Sequence, residues 1–372
     1  MNTGPGYVTI VAVLKTIIKH IDQHLEKFLN KIRHDYYLHQ VDPILYESIK
    51  DYALRKGKRI RPLLLILSYQ GYKHKKNGPS RSLYDASTCM ELLHIFMLVH
   101  DDIIDRSDLR RGQPTMHRLL RKAAKTKEQD KLGYDLSIVT GDILYSLAID
   151  AFLSIREDPL RKEKALKYFI RTAAFTAIGE FIDVLQGVKK IQNVSQKDVL
   201  LTYRLKTARY TFECPLVVGA ILAGASQRET QRLSRFGSYL GQAFQIQDDI
   251  LGIFDSQKNI GKSILSDLAE SKKTILTCHA YEHLKGRQKK QFLYYFEKNK
   301  KTYADLMAIR KILIQSGSLS YSLRKMTGLL KKAHHIFPSL SMKKEYRAMI
   351  NDSLNVLFVK SKIIAQANNI SL

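Results

Sequence analysis

The stretch "ELLHIFMLVHDDIIDRSDLRRGQPTMH", residues 91–117, decides how the chain reads. A nearly apolar run from Leu92 to Val99 passes directly into Asp101, Asp102 and Asp105, and the adjacent Arg110 and Arg111 follow. The spacing i, i+1, i+4 sets three carboxylates on one edge of a helix. Charges of one sign held so close raise one another's pKa unless a cation neutralises them. Mg2+ meets that need: it takes one or two carboxylates, keeps waters, and completes its octahedron with phosphate oxygens. The stretch therefore predicts a long apolar helix ending in a Mg2+ site that carries a diphosphate. The plainer reading is a solvated acidic cap.

A second acidic pair argues for the metal. In "FQIQDDILGIFDSQKNIGKS", residues 244–263, Asp248 and Asp249 follow the apolar helical run "YLGQAF". The two clusters are expected to face one another across a cavity, each at the end of a helix. Cations suited to phosphate accompany them: Lys58, Arg59 and Arg61 in "KGKRIRP", Arg110 and Arg111, Lys206 beside Thr207 in "YRLKTARYT", and Lys262 in "GKS". Arginine offers a planar two-donor fork to phosphate, and lysine a point charge. Carboxylates for metal together with lysine and arginine for phosphate describe a site for a polyanion. No Ser–His–Asp or Cys–His arrangement competes with it.

Composition bounds the rest. The 372 residues include 61 Lys and Arg against 35 Asp and Glu, a formal charge of +26, and 45% are hydrophobic. The basic residues are spread along the chain without aromatic interleaving, which favours a solvated lysine-rich surface over a nucleic-acid partner. Three scattered cysteines, Cys89, Cys214 and Cys278, have no metal-ligand spacing and read as reduced thiols of a cytoplasmic protein. The apolar stretch before Lys15 falls short of the ~20 residues that span a bilayer, so no transmembrane segment and a soluble chain are expected. Prolines and glycines are few, strand signals are scarce, and apolar residues recur at spacings of three and four, as at Leu25, Phe28, Leu29 and Ile32. The expected fold is all-α: one domain over residues 1–372, built of roughly ten to a dozen helices around a central cavity. Its motifs fall within about 45–280, and residues 281–372 form carboxy-terminal helices. Loops are expected at 73–82, 110–117, 125–131, 156–162, 194–198 and 256–263.

Taken in order, "GKRIRP", "LVHDDIIDRSDLRRGQPTMH", the "GD" at 141–142, "KTARYT" and "FQIQDDILGIF…GKS…SDL…KKT" resemble the trans-prenyl diphosphate synthases. These are the head-to-tail isoprenyl transferases of the geranylgeranyl and farnesyl diphosphate synthase family. The resemblance implies the isoprenoid synthase fold, a homodimer, and three Mg2+ per active site. It implies that Asp101, Asp102 and Asp105 bind Mg2+ bridging to an allylic diphosphate. Asp248 would hold a further Mg2+, with Asp249 in support. Arg110, Lys206 and Lys262 would hold the same allylic diphosphate, and Lys58, Arg61, His94 and Arg111 that of isopentenyl diphosphate. Gln245 and Thr207 would line the site near the reacting carbons.

The apolar run then gains a use. A hydrocarbon tail running back along the helix from Asp101 descends ~1.5 Å per residue, which puts Phe96 and Met97 about 6 to 8 Å below the metal. These are the length-setting positions of the family, and an aromatic at Phe96 alone resembles the archaeal geranylgeranyl pattern. Ordinary core packing is the plainer reading of both residues. Farnesyl or longer products are the alternatives. Rivals from other classes are a class I terpene cyclase, which would not need the second diphosphate site, and a non-catalytic partner subunit, which should have lost aspartates from one cluster. The chain departs from the family pattern at Gly252, at Asp255 and Ser256, at Ser263 in place of proline, and at Ser271 in place of glycine.

Overall fold

The computed structural model describes residues 5–74, 78–110, 112–123, 125–255 and 271–371, with the side chains of 5–9 and 39 excepted. The positions expected to act at Arg111 and Lys262, and the whole of the loop expected at 256–263, lie outside the described residues. The helices run in the order α1 (Pro5–Asp35), α2 (Leu38–Val41), α3 (Pro43–Leu54), α4 (Ile60–Tyr72), α5 (Arg81–Ile104), α6 (Met116–Leu120), α7 (Gln129–Leu153), α8 (Pro159–Val188) and α9 (Gln196–Thr202). A π-helical segment, Tyr203–Glu213, follows. Then come α10 (Cys214–Leu222), α11 (Gln227–Phe254), α12 (Ile275–His283), α13 (Gly286–Glu297), α14 (Tyr303–Gln315), α15 (Ser318–Ile336), α16 (Lys344–Asn355) and α17 (Val359–Ala367). Among the described residues the only strands are the two-residue pair β1 (Leu109–Arg110) and β2 (Gln113–Pro114), antiparallel with Arg110 opposite Gln113. The all-α expectation holds.

Two compact units share the chain. One comprises Met1–Phe169, Pro215–Thr230 and Ser341–Asn351, the other Ile170–Cys214, Gln231–Leu340 and Asp352–Leu372. The chain crosses between them within α8, α11 and α16, at the start of α10, and at Leu340–Ser341 before α16.

In the first unit, α4 is buried from Pro62 to Gly71. Its close approach to α10 depends on Gly219, where an added Cβ would lie 2.4 Å from the Leu65 carbonyl oxygen. The Ser68 hydroxyl donates to the Leu216 carbonyl at 2.6 Å across that contact. Ser80 caps α5, its oxygen accepting from the Leu83 N–H, and α5 then packs along α7. Contrary to the expectation that no segment is long and apolar enough to span a membrane, α7 meets that test by length and composition, with a mean hydropathy of 1.6. Of that window 44% is buried, and the helix lies against both α5 and α6.

In the second unit, capping boxes start α9 (Ser195 with Asp198), α12 (Thr274 with Thr277) and α14 (Thr302 with Asp305). The carboxy-terminal region, which bears no motif, secures the end of α11. Arg310 donates to the Ile253 and Asp255 carbonyls at 2.5 and 3.1 Å, and Lys360 pairs with the Asp255 carboxylate at 2.9 Å. Cations at a helix C-terminus complement its dipole. Ser271, the departure from a family glycine, has φ +49 in the left-handed region. Its hydroxyl offsets part of that strain by donating to the Phe296 carbonyl at 2.7 Å and accepting from Lys301 at 2.8 Å. All three cysteines are buried and none forms a disulfide, and burial pushes the Cys214 and Cys278 thiols up to about 12.

Candidate active site

Helix α5 ends in a fold-back that its sequence does not advertise. Arg106 takes φ +50, its N–H donates to the Ile103 carbonyl at 3.2 Å, and the Ser107 N–H donates to the Asp102 carbonyl at 2.9 Å. This is a Schellman termination with arginine in the position that glycine usually holds. The reversal leads into the β1–β2 hairpin and brings Arg110 back over the helix end. There Arg110 forks across the acidic edge, with Nη2 donating to Asp101 Oδ2 and Nε to Asp102 Oδ1, both at 2.7 Å. Burial alone would lower the Arg110 pKa. The two carboxylates outweigh it and hold the guanidinium firmly charged.

Asp102 differs from its neighbours. Its side chain is fully buried, Oδ1 is held by Arg110, and Oδ2 accepts from the Tyr52 hydroxyl at 2.5 Å. Asp102, expected to ligate metal beside Asp101 and Asp105, has both of its oxygens engaged by protein donors here. Asp101 and Asp105 are half-exposed, one turn apart at the end of α5. Their hard oxygen chemistry fits Mg2+. Among the described residues, no three His, Cys, Asp or Glu side chains already converge as a metal-binding group.

Beneath the acidic end, His94 and Arg110 line a small solvent-open hollow together with Tyr52, Arg59 and Glu91. Arg61 is half-buried in the first turn of α4 and Lys58 is exposed just before it. Neither lines the hollow. Arg59, between them, has a different task. Left-handed at φ +47, it turns inward to Glu91 Oε1 at 2.5 Å, to Asp22 at 2.7 Å, and to the carbonyls of Ala53 and Arg55. Breaking a buried ion pair by removing one partner costs about 3–5 kcal/mol. Glu91→Ala is therefore expected to lower unfolding stability by about 3 kcal/mol in urea titration, and an unchanged midpoint would show that Asp22 alone satisfies Arg59.

Phe96 is half-buried on α5, five residues before Asp101. Its ring stands edge-on to His100 (centroids 4.8 Å) and tilted against Tyr145 (5.2 Å). The "GD" motif supplies room for this stack, since an added Cβ at Gly141 would lie 2.3 Å from the His100 ring. Met97 is half-buried beside Phe96.

In the second unit the expected site residues centre on the π-helical segment. Such helices are rare and mostly a single turn long, often at functional sites, whereas this one spans 11 residues. It carries Lys206 and Thr207. Glycines on both neighbouring helices admit its wider backbone. An added Cβ would lie 2.4 Å from the Lys206 nitrogen at Gly179 of α8, 2.6 Å from Glu213 Cα at Gly237 of α11, and 2.3 Å from Ala208 Cα at Gly241 of α11.

Thr207 donates to Gln245 Oε1 at 2.6 Å, and Gln245 Nε2 donates to Asp249 Oδ1 at 3.0 Å. The Tyr203 hydroxyl donates to Asp249 Oδ2 and accepts the Ile275 N–H at 3.2 Å. Burial, then the Asp249 charge, raise the Tyr203 pKa well above its usual value, which keeps the hydroxyl a donor. Asp248 lies half-exposed beside Asp249 on α11. Lys206, expected to hold diphosphate, is paired here with Glu180 at 2.8 Å and Asp183 at 2.7 Å, both on α8.

The structure thus joins His94 to Arg110, Arg110 to Asp101 and Asp102, and Thr207 to Gln245 and Asp249. Six participants are not legible from spacing: Tyr52, Arg59 in its inward role, Glu91, Glu180, Asp183 and Tyr203. The acidic "GEFID" at 179–183 was the available signal for two of them.

The sequence matches the polyprenyl synthetase family over residues 42–313. It is 34% identical over 282 residues to the geranylgeranyl diphosphate synthase of Sulfolobus acidocaldarius, an alignment covering 75% of this chain and 79% of that protein. A short chain isoprenyl diphosphate synthase of Methanocaldococcus jannaschii is 30% identical over 281 residues, covering 75% and 76%. In three dimensions the chain resembles the crystal structure of geranylgeranyl pyrophosphate synthase from Corynebacterium glutamicum complexed with isoprenyl diphosphate and magnesium. The TM-score is 0.85 at 23% identity, over 93% of this chain and 99% of that one.

Proposed function

The chain belongs to the polyprenyl synthetase family, and from that premise we propose that it is a trans-prenyltransferase joining isopentenyl diphosphate to an allylic diphosphate, with the twenty-carbon geranylgeranyl diphosphate as product. The observation that carries this reading is the end of α5. Tyr52 and Arg110 fix Asp102 from inside, Asp101 and Asp105 stand half-exposed, and the Phe96 ring packs on His100 and Tyr145 within the apolar run that leads to them.

Asp101 and Asp105 would hold Mg2+ against the allylic diphosphate, and Asp248 a further Mg2+, with three ions per site the complement that the resemblance implies. The metal's chemistry is Lewis-acid neutralisation of the departing diphosphate. The chain's own residues do the rest. Lys206 and Arg110 are the charged groups for the allylic diphosphate, each now paired with carboxylates. His94, Lys58 and Arg61 take the diphosphate of isopentenyl diphosphate. As the allylic C–O bond breaks, the apolar face of α5 keeps water from the carbocation. The double bond of isopentenyl diphosphate then forms the new carbon–carbon bond, and a proton leaves the adjacent carbon for the released diphosphate. Thr207 and Gln245, locked to one another, hold fixed dipoles near the reacting carbons.

The test is incubation of the purified chain with Mg2+, radiolabelled isopentenyl diphosphate and each of the dimethylallyl, geranyl and farnesyl primers, with products resolved by length. A twenty-carbon product is expected, and no incorporation with any primer overturns the reading. Phe96→Ala removes the ring held between His100 and Tyr145 and is expected to shift the main product at least one five-carbon unit longer. An unaltered product would make Phe96 a packing residue.

The family expectation of a homodimer is supported by α8. Ile178, Phe181, Leu185 and Val188 recur at spacings of three, four and three, and are 48, 65, 45 and 82% exposed. A face so apolar suits a second copy of this chain. Phe181→Asp is expected to yield monomer in size-exclusion chromatography with light scattering, and a dimer that persists would move the interface elsewhere. Cysteines that are all buried and in no disulfide support a cytoplasmic setting, which fractionation of the source cells would check.

A further inference from the structure

Both acidic pairs are gripped in the same way. Asp102 receives the Tyr52 hydroxyl on Oδ2 and a charged donor, Arg110, on Oδ1. Asp249 receives the Tyr203 hydroxyl on Oδ2 and an amide donor, Gln245, on Oδ1. In each case the tyrosine comes from a different helix, lies far from the aspartate in sequence, and is buried, at 5% and 6% exposure. In each case the gripped aspartate directly follows one that is half-exposed, Asp101 or Asp248.

We propose that Tyr52 and Tyr203 are positioning residues of the two acidic pairs. Each phenol anchors the second aspartate, and thereby fixes the backbone and direction from which the first presents its oxygens to Mg2+. The inference rests on the reading of Asp101 and Asp248 as metal ligands given above. A phenol suits the task for two reasons. It is a neutral donor, so it orients a carboxylate without adding a cation that would compete with the metal. It is also rigid, with few rotatable bonds, so the hydrogen bond transmits position. Neighbours lock the rings. The Arg55 guanidinium lies 4.4 Å over the Tyr52 ring and itself donates to Asp51 and to the Pro114 carbonyl. The Tyr203 oxygen is held from its far side by the Ile275 N–H. Outer-shell partners of this kind typically change metal affinity 10- to 100-fold when removed.

Mn2+ binding in the presence of inorganic diphosphate, followed by the electron paramagnetic resonance of the free ion, tests the proposal apart from turnover. Tyr52→Phe decides it, and Tyr203→Phe is an independent repeat. Each is expected to weaken Mn2+ binding about tenfold and to lower kcat while leaving KM for isopentenyl diphosphate unchanged. Asp101→Asn is the control. If Asp101→Asn binds Mn2+ as the parent does, the metal reading itself fails. If it loses Mn2+ while Tyr52→Phe keeps the parent affinity, the positioning role is overturned. Tyr203→Phe also strands the Ile275 N–H, so its urea midpoint is measured alongside. A lowered midpoint with parent Mn2+ affinity makes Tyr203 structural and removes it from the proposal.

Discussion

Asp101→Ala is expected to reduce kcat by ~1,000-fold or more, because electrostatic stabilisation of a departing anion is the largest single term such a site supplies. The fold should survive. Asp101 is half-exposed, and its partner Arg110 keeps a second, fully buried carboxylate at Asp102. Removing Asp101 therefore leaves no buried charge without compensation. The loss should appear in kcat with both primer and isopentenyl diphosphate saturating, with the urea midpoint close to that of the parent. Turnover within a few-fold of normal would sink the metal assignment at α5. A collapse in stability would instead mark Asp101 as part of the clamp on the hairpin.

Gly241→Ala is expected to destabilise the protein by about 3 kcal/mol, the upper part of the usual range for overpacking. The added methyl would lie 2.3 Å from Ala208 Cα and 2.4 Å from its Cβ, with no flexible side-chain end that can yield. Helix α11 and the π-helical segment must separate to admit it. Lys206 and Thr207 lie two and one residues before Ala208, and Gln245 lies one turn beyond Gly241, so the Thr207–Gln245 hydrogen bond should weaken and activity fall with stability. Gly328→Ala is the matched control. Nothing lies within 4 Å of a Cβ there, in the interior of α15, and alanine should raise stability by up to about 1 kcal/mol through helix propensity. Equal effects at the two positions would refute the close-packing account of Gly241.

These two cases show which parts of the molecule a sequence discloses. Apolar periodicity and the lack of strand signals suffice for the helices, and the aspartate spacing marks the end of α5, because each is a local property of a few consecutive residues. The π-helical segment is not local in that sense. Its wider turn is stabilised against glycines more than twenty residues away on either side, at 179, 237 and 241, and no apolar spacing within "YRLKTARYTFE" announces it. The same holds for the grips on Asp102 and Asp249, made by tyrosines some fifty residues away. Arg59 shows a subtler limit. Lys58, Arg59 and Arg61 are alike in charge, and only the left-handed backbone at Arg59 turns it inward to Glu91. Arg106 and Ser271 occupy left-handed positions where glycine would have been the recognisable signal.

The three buried cysteines give the molecule a built-in clock. A thiol reacts as thiolate. Cys214 and Cys278, raised to about 12 and shielded from solvent, should be silent toward alkylating reagents at neutral pH until the fold around them opens. Cys214 directly follows the π-helical segment, and Cys278 lies in α12. Their separate modification rates, read by mass spectrometry, would time how often each of these regions breathes. A single cysteine introduced on the surface would meanwhile carry a spectroscopic label with no native thiol needing removal.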